Sequence, residues 1–315
     1  MKPAIAKSSL RVVFMGTPDF AVPSLETLIE EGYPPVAVVT VPDRPQGRGQ
    51  TTQPSAVKTV AERHGLQVLQ PENLLDEGFL DELTRLAPDV IVVVAFRILP
   101  PEVYSLASRG AFNLHASLLP RFRGAAPINR AIMAGDIETG VTTFFLEPNV
   151  DTGDVILMRR LSIEPDETAG ELHDRLAKLG AHIVLETVQH IEAGTAEARP
   201  QDDRRASRAP KIFKEDARIE WDRSAREVHN HVRGLSPYPA AWTMHDGTLL
   251  KVYRTSLDRR AGEPGEVVAA ADDELVVACR DASVRILEIQ REGRQRMTAL
   301  DFLKGYDIRP GDRLS

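Results

Sequence analysis

The chain has 315 residues, of which 42% are hydrophobic and 27% charged, a composition typical of folded proteins that argues against extended disorder. Its longest apolar run, Val90 to Phe96, is far shorter than the roughly 20 residues that cross a bilayer, so we expect no membrane span. The formal net charge of −7 argues against indiscriminate binding of polyanions. A lone cysteine, Cys279, excludes an intrachain disulfide and fits a reducing cytoplasm.

The first part of the chain alternates short β-branched runs with helical patterns, which predicts an α/β fold with a doubly wound, mostly parallel Rossmann-like sheet. The predicted strands are Val12–Met15, Val36–Val41, Val90–Ala95, Ala111–His115 and Val141–Phe145. The predicted helices are Pro23–Glu31, Ser55–His64, Phe79–Leu86, Ile128–Ala134 and Thr168–Ala193. Gly16 follows the first strand without the glycine triplet of a dinucleotide site, which disfavours a nicotinamide or flavin cofactor.

The stretch 199–213 carries five Lys and Arg against two Asp and has no hydrophobic period, which predicts an exposed basic linker. A second domain, 214–315, follows it. A helix is predicted over Ser224–Leu235, another is capped by Thr298, and Asp246-Gly247 marks a hairpin turn. The predicted strands are Ile219–Asp222, Ala241–His245, Leu249–Tyr253, Glu266–Ala269, Leu275–Cys279 and Val284–Ile289. So many short strands predict a smaller C-terminal OB-like β-barrel.

Three polar residues suggest a carbonyl-addition site without a serine or cysteine nucleophile: Asn113, His115 and Asp151. Asn113 and His115 should point the same way, because alternate residues of a strand share a face. An amide can donate to a developing oxyanion, an imidazole can carry a proton near neutral pH, and a carboxylate can orient the imidazole and favour its charged form. This set suits acyl transfer to an amine. Taken singly, each residue also fits a purely structural role.

The segment Pro42 to Gln50 is long for a strand-to-helix connection and carries Arg44 and Arg48 without hydrophobic anchors. Long structured loops are often functional, and arginine forks suit contact with phosphate. A solvated loop with ordinary surface charge is the alternative interpretation. No cluster of Cys or His has the spacing of metal ligands, so we expect no metal.

These motifs resemble the methionyl-tRNA formyltransferase family, within the folate-dependent formyltransferase superfamily. The resemblance covers nearly the whole chain and is carried by Met15 to Phe20, Pro42 to Pro45, Ser117 to Ile128 and Lys214 to Trp221. It implies formyl transfer from 10-formyltetrahydrofolate, the folate cosubstrate, to the α-amino group of methionine esterified to initiator tRNA. On the matching positions, the resemblance implies that Asn113, His115 and Asp151 are catalytic.

The resemblance also implies substrate-binding residues. Ser117, Leu118, Leu119 and Pro120 match the segment that contacts folate, and Arg44 and Arg48 fall in the loop that meets the tRNA acceptor stem. The expected domains are a formyltransferase catalytic domain at 1–198, the basic linker at 199–213 and a tRNA-binding barrel at 214–315. We expect a cytoplasmic monomer with no membrane partner.

The chain departs from the family pattern in three places, of which one is Phe213, which replaces a commonly polar residue at the domain junction. The stretch Val94 to Pro100 is short and lacks the usual glycine, which changes the expected pterin contacts, and Gln50 to Gln53 replaces a segment that often carries lysines.

Two rival functions remain open on the sequence alone. One is a folate-dependent formyltransferase acting on a small amine, such as a ribonucleotide or an amino sugar, which would have little use for the arginine loop. The other is a non-catalytic RNA-binding protein with a Rossmann-like scaffold.

Overall fold

The computed structural model describes residues 8–46 and 51–315. They divide into two compact units. Unit 1 comprises the described residues up to Gly124 together with Gly140–Leu161 and Asp174–Arg208, and unit 2 comprises Ala125–Thr139, Ser162–His173 and Ala209–Ser315. The segment 199–208 therefore packs within unit 1. The domain limits expected from the sequence, at 198 and 213, stay a prediction.

The strands up to residue 162 are β1 (Val12–Gly16), β2 (Ala37–Val39), β3 (Arg44–Gln46), β4 (Thr51–Gln53), β5 (Val68–Leu69), β6 (Val90–Val94), β7 (Ala111–His115), β8 (Glu138–Phe145) and β9 (Val155–Ser162). The helices up to residue 193 are α1 (Val22–Glu30), α2 (Ala56–Arg63), α3 (Glu77–Leu86), α4 (Pro101–Tyr104), α5 (Pro127–Met133) and α6 (Ala169–Ala193). Within the described ranges, β3 and β4 form a separate hairpin, and the other strands form a seven-stranded sheet in the order β5-β2-β1-β6-β7-β8-β9.

The large sheet is parallel from β5 to β7, and β8 runs antiparallel to β7. All five residues of β6 are buried, as expected for a parallel strand covered on both faces. The carboxyl ends of β1, β6 and β7 meet at one edge, where open α/β sheets bind ligands. At that edge Gly16 permits close approach, because a Cβ there would lie 3.0 Å from the carbonyl oxygen of Val94.

The mostly parallel α/β fold predicted from the sequence is confirmed, and β7 matches its predicted bounds. Several elements were not predicted, among them β5 and the short helix α4. The segment around Arg44, expected to be a loop, contains the β3–β4 pairing. Strand β9 was not predicted, because it is half-exposed and its sequence, with Arg159 and Arg160 adjacent, does not alternate regularly between apolar and polar residues.

Unit 2 contains α7 (Ala225–Leu235), β10 (Ala241–His245), β11 (Thr248–Asp258), β12 (Val267–Ala271), β13 (Glu274–Ala278), β14 (Ser283–Arg291), β15 (Met297–Thr298) and α8 (Ala299–Leu303). A capping box between Ser224 and Glu227 begins α7. The predicted strand at Ile219–Asp222 is wrong: Ile219 makes one backbone bond to Trp242, and the chain then turns toward the Ser224 cap.

The antiparallel sheet of unit 2 has the order β10-β11-β14-β13-β12, with β15 paired to β14. Its two edge strands are joined by the final residues. Ser315 exchanges two backbone hydrogen bonds with Met244 on β10, while Gly311 and Asp312 bond to Val267 on β12. The tail thus closes the sheet into the small barrel predicted from the sequence. The described helices include no segment with the length and hydrophobicity that a membrane crossing needs.

Candidate active site

Asn113 lies on β7 opposite Val93 of β6. It is half-buried, unlike the buried residues on either side of it, and no hydrogen bond joins its side-chain amide to another described residue. Amides in such positions normally find a partner. The N–H groups of Asn113 are therefore available to an oxygen atom of a ligand.

His115, two residues further along β7, is buried, with 6% of the residue exposed. Its Nε2 lies 2.8 Å from the carbonyl oxygen of Phe122. Because a carbonyl oxygen only accepts, Nε2 carries a hydrogen and donates it there. Nδ1 faces Asp151, 3.7 Å from Oδ2, which is longer than a hydrogen bond.

Asp151 lies in the turn between β8 and β9 with a φ of +57°. Its Oδ2 accepts a hydrogen bond of 2.8 Å from the backbone N–H of Gly124. Phe122, whose carbonyl binds His115, also has a positive φ, of +60°. Left-handed backbone at residues other than glycine is strained and concentrates at functional sites, where the surrounding structure enforces it.

Asn113 and Asp151 line the same cavity, whose volume is about 100 Å³. The rest of its wall follows β6 and β8 at the sheet edge and consists of Val93, Phe96, Arg97, Ile98, Leu99 and residues 146–150. His115 lies outside this described wall, against Asp151. The structure thus brings the predicted amide and carboxylate to one cavity, and the predicted imidazole to the carboxylate. The cavity suits the reacting groups of a substrate, because a whole drug-sized ligand needs several times this volume.

Arg97, in the stretch that departs from the family pattern, lies at this cavity. Its Nη1 and Nη2 donate to the carbonyl oxygens of Glu72 and Pro71 at 2.9 and 2.8 Å, and its guanidinium lies over the ring of Phe96. Burial and then the charge of Arg44 lower the pKa of Arg97, because both disfavour its positive charge. Arg97 therefore fastens the segment at residues 71–72 beside the cavity.

The predicted folate-contacting segment, Ser117–Pro120, follows β7 directly. The hydroxyl of Ser117 donates to the carbonyl of Arg121 at 2.6 Å. The hydroxyl of Thr142 donates to the carbonyl of Ser117 at 2.7 Å and accepts from the N–H of Leu119 at 3.2 Å. These polar groups are thus satisfied within the protein. No member of the segment belongs to the described cavity wall, and its contact with folate stays a prediction.

Arg44 begins the β3–β4 hairpin and is exposed, whereas Arg48 lies outside the described residues. The preceding residue, Asp43, is firmly anchored. Lys58 donates to its Oδ2 at 2.6 Å, and the Gln70 amide donates to its Oδ1 at 2.8 Å. These bonds lower the pKa of Asp43, because they stabilise the charged carboxylate. These contacts fix the position of Asp43, the residue immediately before Arg44.

Two residues take part in the site although the sequence did not point to them. Gly124 supplies the N–H that binds Asp151, and the amide of Gln201 donates to the carbonyl oxygens of Asp151 and Gly153. A backbone N–H has no sequence signal, because nearly every residue carries one. Gln201 lies in the stretch whose lack of hydrophobic period predicted a linker.

Comparison with known proteins places the chain in a family. A family model described as "Formyl transferase" matches residues 10–188, and one described as "Formyl transferase, C-terminal domain" matches residues 211–307. A methionyl-tRNA formyltransferase from Geobacter metallireducens is 47% identical and covers 98% of this chain and 99% of its own length. One from Porphyromonas gingivalis is 48% identical, with coverage of 96% and 97%. The chain belongs to the methionyl-tRNA formyltransferase family. The family predicted from the motifs is confirmed.

Solved structures share the fold of this methionyl-tRNA formyltransferase family member at lower identity. An N-formyltransferase from Helicobacter canadensis, in complex with folinic acid and dTDP-3-aminofucose, has a TM-score of 0.69 at 19% identity and covers 91% of this chain and 100% of its own. HypX from Aquifex aeolicus with tetrahydrofolic acid has a TM-score of 0.65 at 19% identity, covering 97% and 51%. A methionyl-tRNA formyltransferase from Clostridium thermocellum has a TM-score of 0.55 at 15% identity, covering 79% and 93%.

Proposed function

We propose that this protein transfers the formyl group of 10-formyltetrahydrofolate to the α-amino group of methionine esterified to initiator tRNA, giving N-formylmethionyl-tRNA for translation initiation. One observation of the site carries the proposal: the unpaired amide of Asn113 lines a cavity together with the carboxylate of Asp151. The substrates are supported by relatives of nearly equal length that are named methionyl-tRNA formyltransferase. A folate donor is supported by the folate compounds bound in two neighbours of the same fold.

The proposed reaction needs no nucleophile from the protein. The neutral amine attacks the formyl carbon, the carbonyl oxygen becomes an oxyanion, the bond from carbon to N10 of the donor breaks, and a proton moves from the new ammonium to N10. In this scheme the Asn113 amide donates to the oxyanion, and Asp151 stabilises the ammonium. Such fixed groups act most strongly where water is excluded.

His115 has a more restricted role in the described conformation. Its Nε2 hydrogen already donates to the carbonyl of Phe122, and its Nδ1 faces Asp151. To act as a second donor to the oxyanion, the ring would have to leave Phe122. We therefore assign His115 first to the orientation of Asp151.

The proposal includes the substrate surfaces expected from the family. Ser117–Pro120 would contact folate, supported by its position directly after β7. Arg44 and Arg48 would bind acceptor-stem phosphates, supported by the exposure of Arg44 and the fit of guanidinium to phosphate. The segment 199–213 and the barrel at 214–315 would add tRNA-binding surface. Cytoplasmic location and a monomeric state complete the proposal.

The experiment offers the purified protein donor carrying a radiolabelled formyl group and, in parallel, methionyl initiator tRNA, methionyl elongator tRNA, free methionine and a dTDP-linked amino sugar. Label on methionyl initiator tRNA, and its loss in an Asn113→Ala variant, is the expected result. Label on free methionine or the amino sugar, with none on tRNA, would assign the protein to small-amine formyl transfer instead. Tight RNA binding without any transfer of label would favour the non-catalytic alternative.

A further inference from the structure

Gln201 joins two segments that flank the candidate active site. Its Oε1 accepts from Nε and Nη2 of Arg123 at 3.1 and 2.7 Å. A guanidinium only donates, so the amide oxygen must face Arg123. The amide nitrogen consequently faces the turn after β8, where it donates to the carbonyl oxygens of Asp151 and Gly153 at 3.0 and 2.8 Å. The Gln201 side chain thus links Arg123 to the turn that carries Asp151.

Ser207 makes a second connection from the same segment. Its hydroxyl accepts from the backbone N–H of Phe122 at 2.9 Å, and its carbonyl accepts from the N–H of Arg123 at 2.9 Å. Phe122 supplies the carbonyl that binds His115. The segment 201–207 therefore fixes both the turn that carries Asp151 and the backbone that binds His115, and does not behave as a free linker.

Both residues held in this way have a left-handed backbone conformation. Asp151 and Phe122 both have positive φ values, of +57° and +60°. A backbone conformation of that kind costs on the order of 1–3 kcal/mol and persists only where the surroundings enforce it. Two hydrogen bonds from the half-buried Gln201 amide to the Asp151 turn are a direct means of enforcing it.

We propose that Gln201 is a positioning residue, which holds the Asp151 turn so that the carboxylate stays on the N–H of Gly124 and beside His115. This inference rests on the proposed function for its catalytic consequence. Its structural part, the order of the turn, can be measured without any reaction. The segment 201–207, part of the predicted basic linker, would then also determine the position of the Asp151 carboxylate.

The test compares Gln201→Met, which keeps the length of the side chain without its hydrogen bonds, with Gln201→Glu, which keeps the acceptor for Arg123 but loses the donor. The control is Gln67→Met, an exposed glutamine in the same unit whose side chain bonds only to Glu82 among the described residues. For each protein, kcat, the KM for both substrates, the melting temperature and the hydrogen exchange of residues 148–155 are measured.

Both Gln201 variants should lose about 10- to 100-fold in kcat, because small displacements of catalytic groups have effects of this size. Exchange in 148–155 should be faster, because the turn that carries Asp151 is released. The fall in kcat should exceed any rise in KM, because the variants displace the carboxylate and leave Arg44 and Ser117–Pro120 unchanged. The control should match wild type in every measurement.

A kcat within about two-fold of wild type in a folded Gln201 variant would overturn the inference, as would unchanged exchange in 148–155. If Gln201→Met does not fold, Gln201→Glu is judged by the same criteria, since it retains the Arg123 contacts; failure of both to fold would assign Gln201 to stability and overturn the positioning role. If the wild-type protein formylates no substrate, the proposed function fails while the exchange measurement still decides whether Gln201 orders the turn.

Discussion

The backbone N–H of Gly124 donates to Oδ2 of Asp151 over 2.8 Å, although 27 positions separate the two residues in the sequence. A carboxylate bound in this way cannot rotate freely, and its charge is fixed relative to the backbone. The orientation of the acid group therefore depends on how two loops meet, the one after β7 and the one after β8.

Replacement of Asp151 by Asn removes the charge of the side chain and keeps its shape, so it should show what the charge contributes to the rate. Asparagine can accept the same hydrogen bond from Gly124, so we expect a melting temperature near that of wild type. Loss of the charge should lower the single-turnover rate on the order of 10²- to 10⁴-fold, the range seen when an oriented acid or oxyanion donor is removed. Asp81→Asn, at an exposed position on α3, is the control. A rate within a few-fold of wild type would remove Asp151 from the mechanism.

Asn113→Ala and His115→Ala should each slow the chemical step, and a double-mutant cycle should tell their roles apart. Loss of an oxyanion donor costs about 2.7–4 kcal/mol of barrier, or 10²- to 10³-fold in rate. If His115 acts through Asp151, the effects of His115→Ala and Asp151→Asn will not add, whereas Asn113→Ala and Asp151→Asn will be closer to additive. Additive effects for the His115 and Asp151 pair would show that the ring acts independently.

Arg44→Ala should weaken tRNA binding through loss of a phosphate contact. Each phosphate neutralised contributes about 0.7–0.9 to the slope of log K against log salt, so the variant's slope should be shallower by about 1. Binding of charged initiator tRNA, titrated between low and moderate salt, measures it. Arg85→Ala, an exposed arginine on α3 paired only with Glu82 in the described structure, should leave the slope unchanged. An unchanged slope for Arg44→Ala would remove that residue from the RNA contact.

The stability of unit 2 should depend on pH through His229. This ring is buried, donates to the carbonyl of Pro165 and accepts from the hydroxyl of Thr255, and burial lowers its pKa. The unfolded chain therefore binds the proton more readily, so the free energy of unfolding should fall as pH drops through the unfolded pKa of about 6.5 and on toward the lower folded pKa. Urea unfolding at about pH 7.5 and 5.5 measures this change.

His229→Gln should have a flatter dependence of unfolding free energy on pH than wild type. It should not become fully flat, because burial also lowers the pKa of His231. His64→Gln, at an exposed position, is the control and should retain the wild-type slope. A steeper slope in His229→Gln than in wild type would contradict the sign of the argument.

Cys279 should resist alkylation in the folded protein. Burial, followed by the charge of Asp281, raises the pKa of its thiol to about 12, so only about one molecule in ten thousand carries the reactive thiolate at pH 8. Iodoacetamide labelling followed by mass spectrometry should be slow in buffer and rapid in urea. Ala198→Cys, at an exposed site, provides the reactive reference. Rapid native labelling of Cys279 would contradict its burial.

Local sequence pattern was sufficient to predict much of the regular structure. Strand β7 has its predicted bounds of Ala111–His115, and the turn at Asp246-Gly247 joins β10 and β11 as expected, with positive φ at both residues. Periodicity and turn chemistry are local properties, so one sequence is enough to read them. The strand predicted at Ile219–Asp222 was wrong. Its two apolar residues, Ile219 and Trp221, are flanked by charged residues, and such a pattern does not by itself provide a neighbouring strand to pair with.

The contacts that orient the site were harder to predict because they depend on long-range backbone geometry. Asn113 and Asp151 share a cavity, but the carbonyl of Phe122 that binds His115 and the amide of Gln201 that binds the Asp151 turn came only from the structure. Polar residues without hydrophobic period give the same signal whether they form a loose connection or a network of specific hydrogen bonds.

The bonds from Ser315 to Met244 and from Gly311 and Asp312 to Val267 have a practical consequence for anyone altering this end of the chain. Deletion of residues 311–315 would leave unpaired backbone groups on the two edge strands, β10 and β12. Exposed edge strands of this kind can pair with strands of other molecules. Such a truncated protein should precipitate or form oligomers on standing. Affinity tags for purification are better placed at the opposite terminus.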